Sequence, residues 1–198
     1  MERRTLPRLP RRFHLDILRQ KHHPALVIAI FGFFCGSLAI AILAAMARAA
    51  HSPLVFPSLG PTAFLLFYKP LSPAASPRNT ILGHLVGAAA GYLSLMAFGL
   101  ANLPPPGLDD ITWPRLGAAA LSIGGTIGLM ELWDVPHPPA GATTLIVSLG
   151  LISRLWQIGV LMLAVVALVL LGWVMNHLAG IRYPVWRASF MQDQKPPE

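Results

Sequence analysis

The sequence predicts an all-α integral membrane protein with four full transmembrane helices and two broken half-helices. Hydrophobic residues occupy 55% of the 198 positions and charged residues only 12%, which is about half the charged fraction of soluble domains. Four apolar stretches, at 25–47, 81–103, 113–132 and 155–178, are long enough to cross a hydrocarbon core of about 30 Å as helices. Together these observations exclude an ordinary soluble domain.

The net charge of +7 does not indicate nucleic-acid binding, because seven of the fifteen Lys and Arg residues lie in the first 21 positions. Basic residues beside a first membrane span keep that end in the cytoplasm and favour anionic lipid surfaces. We therefore expect residues 1–24 to form a basic cytoplasmic segment and residues 179–198 to form a cytoplasmic tail. The expected location is the inner membrane of a bacterium, with the lipid bilayer as a partner and no nucleic acid.

Two shorter apolar stretches, at 55–68 and 140–152, follow segments rich in proline and glycine that a regular helix does not accommodate. Each stretch is predicted to be a half-helix. The two segments share the pattern Pro-x-x-Gly-x-Thr, at 57–62 and 138–143, which is an offset of 81 residues. The same offset places the first long span over the third, so the chain is predicted to contain two related repeats.

These repeats divide the predicted transmembrane region, 25–178, into one unit at about 25–103 and another at about 113–178. Their topology depends on whether the half-helix segments cross the membrane or enter it and return. If both cross, each repeat has three crossings and the second repeat is inverted relative to the first. Twelve of the fifteen basic residues then face the cytoplasm, against eleven if both re-enter, so the positive-inside rule favours inversion only slightly.

The second half-helix segment contains the residues with the clearest functional potential. His137 lies between Pro136 and Pro138, which restrict its backbone. Its imidazole can carry a proton or donate a hydrogen bond to an anion. Glu131 and Asp134 lie just before it and leave two interpretations open. They are coupling residues in a transport pathway, or they are hydrogen-bond partners of a structural buried histidine.

Gly60 and Gly141 lie where the two half-helices are expected to begin. A helix N-terminus offers free amide donors and a partial positive charge, and glycine lets a ligand approach the backbone. Two such ends that converge near the membrane midplane would suit a small anion. The hydroxyl residues expected to complete this site are Ser58, Thr62, Thr143 and Thr144. The alternative is that the glycines relieve crowding and the threonines bond to carbonyls of their own helices.

A further group of polar residues precedes the second long span. Arg78 and Asn79 are expected to hold that helix end at the inner surface, where they would take part in coupling or gating. His84 lies about one and a half turns deeper. It either borders the cavity or is an ordinary interfacial histidine.

Glycines spaced by four mark the first three long spans and permit close helix packing, either within the chain or in a homo-oligomer. They are Gly32, Gly36, Gly83, Gly87, Gly91, Gly124 and Gly128. The fourth span lacks such a stripe and is expected to face lipid, with Asn176 and His177 at the membrane interface.

These motifs resemble the HPP family of membrane proteins, named for the triplet that stands here as His137-Pro138-Pro139. The resemblance also covers Pro-Ser-Leu-Gly-Pro-Thr at 57–62 and Ser-Pro-Arg-Asn at 76–79, which is followed by Gly83-His84. It implies four transmembrane helices. Because some members in plastids and cyanobacteria are associated with nitrite transport, it also implies a small-anion substrate, with nitrite as the leading candidate. The C-terminal nucleotide-sensing CBS region of certain relatives is not expected here.

We therefore expect a transporter or channel for a small inorganic anion rather than an enzyme. An intramembrane enzyme that uses His137 as acid and base is one alternative, although no Ser or Cys nucleophile accompanies this histidine. No cluster has the spacing of metal ligands, so neither a metal nor a cofactor is expected. A structural membrane subunit without transport activity is the other alternative, and a closed, fully packed site would favour it.

Overall fold

A computed structural model of the chain describes residues 10, 14–52, 55–107 and 112–188, and all regular structure in these segments is helical. The helices in chain order are α1 (Leu15–Lys21), α2 (Pro24–Ala49), α3 (Leu59–Tyr68), α4 (Pro77–Ala97), α5 (Trp113–Leu132), α6 (Ala140–Ser148) and α7 (Leu155–Leu178). A short 3-10 helix, Pro73–Ala75, lies between α3 and α4. The prediction of an all-α protein is confirmed for these residues.

Within the described segments, three helices are long and apolar enough to cross a membrane: α2, α4 and α7. Helix α5 has 20 residues, but Arg115, Glu131 and its glycines make it more polar than these three. The membrane character of the chain is therefore supported by composition and length. The count of four full spans stays a prediction.

The boundaries of α4 differ most from the expected ones. The helix begins at Pro77 rather than at position 81, because Ser76 caps it by accepting a hydrogen bond of 3.3 Å from the Asn79 amide. It ends at Ala97, before Gly99, whose φ of 69° suits glycine just beyond a helix end. The predicted span at 81–103 was therefore shifted toward the C-terminus.

Helices α3 and α6 have 10 and 9 residues and begin at Leu59 and Ala140, one residue before Gly60 and Gly141. Both are too short to cross a hydrocarbon core alone, since a helix of that length extends only about 15 Å. Irregular backbone at Pro57 and at Pro138 leads into each. The sequence thus located both short helices, although the predicted stretches at 55–68 and 140–152 were each four residues too long at one end.

Three glycines of α4 allow α6 and His137 to pack directly against its backbone. A Cβ atom added at Gly87 would lie 2.8 Å from both the Ala140 carbonyl oxygen and the Thr144 hydroxyl. Added Cβ atoms at Gly83 and Gly91 would meet His137 and the Thr144 carbonyl oxygen, at 2.5 and 2.7 Å. This stripe is therefore used inside the chain. By contrast, an added Cβ has no neighbour within 4 Å at Gly32, Gly36, Gly124 or Gly128.

Helix α7 has two different sides, and its exposed side, with Leu163 and Leu170, is compatible with the expectation that it faces lipid. One side of it lies in the main apolar core, with Leu161, Val165 and Leu168 fully buried. Asn176, near the end of α7, is buried, and its side-chain amide donates to the carbonyls of Leu66 (3.1 Å) and Gly172 (2.8 Å). Of the three membrane-length helices, α2 has the smallest buried share.

Two arginines mark opposite ends of the bundle. Arg78, in the first turn of α4, donates to the carbonyls of Asp134 (2.6 Å) and Trp133 (3.2 Å), which follow α5. Arg115, in the first turn of α5, donates to the carbonyl of Leu149 (2.6 Å), which follows α6. We refer to these as the Arg78 end and the Arg115 end.

Candidate functional site

Four polar side chains meet where α3, α4 and α6 pack together. They belong to His84 on α4, His137 before α6, Thr62 on α3 and Thr143 on α6, and all four residues are completely buried. His84 lies about 10 Å along α4 from its first residue, in a helix about 32 Å long. The cluster therefore lies about 5 Å from the middle of α4, on the side of the Arg78 end.

Hydrogen bonds connect the four side chains into one network. His84 Nε2 lies 2.9 Å from the Thr62 hydroxyl, and His84 Nδ1 lies 2.7 Å from the Thr143 hydroxyl. His137 Nδ1 lies 2.7 Å from the Ala74 carbonyl oxygen, and its Nε2 lies 3.4 Å from the Thr62 hydroxyl. The two imidazole rings are 4.9 Å apart between centroids. The Thr62 hydroxyl thus lies within 3.4 Å of a ring nitrogen of each histidine.

The partners of these atoms determine where the protons lie. A carbonyl only accepts, so His137 Nδ1 donates to Ala74 and the neutral ring keeps an acceptor at Nε2. Thr62 accepts from His84 Nε2 and donates to the Ser58 carbonyl oxygen, 3.0 Å away. Thr143 then donates to His84 Nδ1. This assignment satisfies the short bonds with both imidazoles neutral, and it leaves His137 Nε2 with only the long contact to Thr62.

A second pair of hydroxyls adjoins the cluster. The Thr144 hydroxyl donates to the Ala140 carbonyl oxygen (3.2 Å) and lies 2.9 Å from the hydroxyl of Thr126 on α5. Thr62 and Thr144 therefore bond to carbonyls near the start of their own helices. This agrees with the alternative interpretation of the sequence, in which the threonines bond to their own helices. They also bond to other elements, which that interpretation did not include.

The expected carboxylate partner of His137 is absent from the described contacts. Asp134 instead forms an exposed salt bridge of 2.7 Å with Arg187, and Glu131 is exposed at the end of α5. Asp134 has a φ of 51°, a left-handed conformation that Asp tolerates and that turns the chain after α5. The expectation that a carboxylate bonds His137 is wrong, since both ring nitrogens face Ala74 and Thr62.

The expected free amides at the start of α6 are also absent. The amides of Ala140, Gly141 and Ala142 donate to the carbonyls of His137, Pro138 and Pro139, at 3.0 to 3.2 Å. Residues 137–142 form successive tight turns, so these donors are already used. A site that depends on the amide groups at Gly141 is therefore not available in this conformation, and side chains supply the polar groups instead.

Arg78 and Asn79 position the segment before His137 without contacting the histidine. The Asn79 side-chain oxygen accepts from Arg78 (3.0 Å), whose guanidinium also binds the carbonyls after α5. On the opposite side, the Tyr183 hydroxyl donates to the Ala75 carbonyl oxygen, next to the carbonyl that His137 contacts. Burial raises the pKa of Tyr183, which keeps this donor protonated.

The motif residues therefore meet in one cluster, and comparison with known proteins assigns the chain. Residues 19–184 match the family described as "HPP, transmembrane region". The chain belongs to the HPP family. This confirms the resemblance of the His-Pro-Pro triplet and its companion motifs.

Two relatives of this HPP protein are transmembrane proteins of Dictyostelium discoideum. One is 32% identical over 125 residues, covering 63% of this chain and 40% of the relative. The other is 36% identical over 89 residues, covering 45% of this chain and 25% of the relative. The chain thus spans less than half the length of either relative. No solved structure matches it.

The cluster of His84, His137, Thr62 and Thr143 is closed in this conformation. An apolar recess of about 420 Å³ lies beside it, between Pro61 and Phe64 of α3 and the Pro138-Pro139 pair, yet neither histidine is exposed. In the described part of the chain, no group of three or more His, Cys, Asp or Glu residues is placed to hold a metal ion. What the cluster offers chemically is hydroxyl and imidazole hydrogen bonding in an enclosed space.

Sequence reasoning missed several buried polar residues of the bundle. Thr126 is 2% exposed, and Ser148, Thr80 and Ser122 are likewise buried. Arg115 is 5% exposed although it is charged. The available signal was an arginine inside a span predicted to be transmembrane, since such a residue is costly unless it has partners or a function.

Proposed function

We propose that this HPP protein is a transporter or channel for a small inorganic anion, with nitrite as the first candidate. The anion is held at the cluster of His84, His137, Thr62 and Thr143 during transit. One observation carries this proposal: two completely buried imidazoles, 4.9 Å apart, each place a ring nitrogen within 3.4 Å of the Thr62 hydroxyl in a membrane-type helix bundle. Polar groups at such depth are costly, and they usually line a pathway.

The chemistry of the cluster suits an anion that moves together with a proton. Two neutral imidazoles supply no charge to balance an anion in a low-dielectric interior. Protonation of His137 at Nε2, which has only a long contact to Thr62, would supply that charge and a further donor. The groups facing the two imidazoles are Thr62, Thr143 and the Ala74 carbonyl, and no charged side chain of the described residues contacts them.

We propose transport rather than catalysis because the cluster lacks the parts of an acid–base enzyme. The hydroxyl contacting both histidines, Thr62, also bonds to a carbonyl of its own helix. No described carboxylate orients either imidazole, whereas an activated nucleophile usually needs a base held by a third group.

We further propose that two inverted three-element repeats build this pathway. Thr62 and Thr143, which are 81 positions apart, both bond His84. The segment that contains α3 begins after the C-terminal end of α2 and ends at Lys69. Lys69 lies near the Arg78 end, where it lines one recess together with Arg19 and Arg182. The segment with α6 connects the Arg78 end to Leu149 at the Arg115 end. These contacts support one crossing by each broken segment, in opposite directions.

The complete burial of the cluster favours a second candidate, a structural subunit without transport activity. In that case the histidines and threonines would only hold α3, α4 and α6 together through interhelical hydrogen bonds. The transport proposal requires that the bundle opens to admit the anion, and the structural proposal requires no opening. A flux measurement separates them.

The test is nitrite flux into liposomes that contain the purified protein, with and without an inward proton gradient. We expect flux above that of empty vesicles, faster with the gradient, and a loss of about tenfold or more in His137→Ala, equivalent to about 1.4 kcal/mol in the barrier. His22→Ala is the matched control, because His22 is exposed and lies at the end of α1. No flux of nitrite, nitrate or another small anion would overturn the proposal and leave the structural subunit.

A further inference from the structure

A row of buried polar side chains continues from the histidine pair toward the Arg115 end, between α5 and α6. Thr144, next to the Thr143 that bonds His84, contacts Thr126 at 2.9 Å. Arg115 contacts the Leu149 carbonyl at 2.6 Å. The two helices therefore run antiparallel along this row.

Ser148 lies in the middle of the row and has no hydrogen-bond partner among the described groups. It is completely buried and lies one turn beyond Thr144, on the same face of α6. An unpaired buried hydroxyl costs about 1–3 kcal/mol, and a purely structural contact between helices gives no reason to keep one. Ser148 thus indicates that a polar species binds at this position transiently.

The positive charge of Arg115 indicates that this polar species is an anion. Only 5% of it is exposed, and its guanidinium donates to the carbonyls of Leu149 and Pro104. Carbonyl oxygens carry no net charge, so they do not neutralise the guanidinium. Among the described residues the single salt bridge joins Arg187 to Asp134, and Arg115 therefore has no described counter-ion. A buried cation with only neutral partners attracts an anion.

A wide recess lies at the surface of the Arg115 end, on the far side of Pro104 from this arginine. It has a volume of about 870 Å³ and is lined by Asn102, Pro104, Arg154 and Gln157, among other residues of the Arg115 end. Pro104 belongs both to the recess wall and to the hydrogen-bond partners of Arg115. One residue, Pro104, therefore separates the recess from the arginine of the buried row.

We propose that this row is the anion's path between the recess and the histidine pair, and that Arg115 selects for negative charge. The proposal rests on the proposed transport function and adds a route and a selectivity residue to it. The small anion passes Arg115, exchanges hydrogen bonds with Ser148 and then with the Thr126–Thr144 pair, and reaches His84.

Thiol labelling tests the route independently of transport. In a Cys35→Ser background, which removes the only native cysteine, Ser148→Cys introduces a nearly isosteric thiol. After normalisation to the rates of a free thiol in solution, we expect it to react about tenfold faster with an anionic methanethiosulfonate than with a cationic one, because of the nearby positive charge. Val147→Cys is the matched control and should stay unreactive, because Val147 is equally buried but packs against Gly91.

Variants of Arg115 test whether its charge produces this preference for the anionic reagent. Arg115→Gln in the Ser148→Cys background should remove the preference for the anionic reagent, and Arg115→Lys should retain most of it. Asp109 and Asp110 lie outside the described residues, so Asp109→Asn and Asp110→Asn are tested alongside. A faster anionic reaction in either variant would show that the replaced carboxylate opposes Arg115.

The outcomes distinguish this inference from the proposed function. If the thiol introduced by Ser148→Cys reacts with a preference for the anionic reagent but nitrite flux is absent, the route is supported and the transport of nitrite is overturned. If nitrite flux is present but that thiol is unreactive, or reacts equally with both reagents, the route is overturned and the transport function stands.

Discussion

The Thr62 hydroxyl has more polar neighbours than any other hydroxyl of the buried network. We expect its removal to destabilise the fold and to impair the site. The hydroxyl lies within 3.4 Å of His84 Nε2, His137 Nε2 and the Ser58 carbonyl oxygen. Thr62→Val keeps the shape but leaves these buried groups unpaired, which costs about 1–3 kcal/mol. We expect a lower thermal unfolding midpoint in detergent and reduced nitrite flux.

Thr112→Val is the control for this substitution, because Thr112 is exposed and makes no side-chain capping bond at the start of α5. Its effect should stay within about 0.5 kcal/mol. If Thr62→Val unfolds at the same temperature as the wild type, the hydroxyl network does not stabilise the bundle.

At this scale the sequence identified His84, His137, Thr62 and Thr143 but not their mutual bonds. Spacing along the chain suggested Asp134 as the partner of His137, three residues away. The actual partner of Asp134 is Arg187, 53 residues distant, and that of His137 is a carbonyl 63 residues distant. Such partners follow from the packing of α4, α6 and the C-terminal segment, which local sequence does not encode.

The interface between α4 and α6 depends on Gly87. Alanine there would put a methyl group 2.8 Å from the Ala140 carbonyl oxygen and the Thr144 hydroxyl. Because the Ala140 oxygen belongs to the backbone, the helices must separate, and we expect Gly87→Ala to cost about 1–3 kcal/mol. It should also impair flux, since α6 carries Thr143. Thermal unfolding and the liposome assay measure both effects.

Gly124→Ala on α5 is the matched control, since an added methyl group there meets no atom within 4 Å. Its higher helix propensity should make it neutral or stabilising by up to about 1 kcal/mol. Equal destabilisation by both substitutions would show that the close approach of α6 at Gly87 does not determine the outcome.

The elements themselves were largely predictable, with errors that have physical causes. Length and hydropathy located α2, α5 and α7 within two residues, and the proline-rich segments located α3 and α6. Helix α4 was shifted because Ser76 and Pro77 form a cap that outweighs the polarity of Arg78 and Asn79. Helix α7 is apolar on all sides, so composition alone did not distinguish core from lipid.

For the whole molecule, the ends of the bundle differ in charge. Among the described residues, six basic side chains lie toward the Arg78 end: Arg19, Lys21, Lys69, Arg78, Arg182 and Arg187. Three belong to the Arg115 end: Arg48, Arg115 and Arg154. Because basic residues near membrane spans stay in the cytoplasm, we predict that the Arg78 end is cytoplasmic.

Cysteine accessibility in intact cells checks this orientation without changing any charge. In the Cys35→Ser background, Asn102→Cys places an exposed thiol at the Arg115 end and Leu71→Cys places one beside Lys69. A membrane-impermeant maleimide should label the Asn102→Cys variant from outside and the Leu71→Cys variant only after permeabilisation. The opposite pattern would reverse the orientation, so that the Arg115 recess would face the cytoplasm. The inward proton gradient would still drive the anion into the cell, but the anion would leave the protein, rather than enter it, through the Arg115 end.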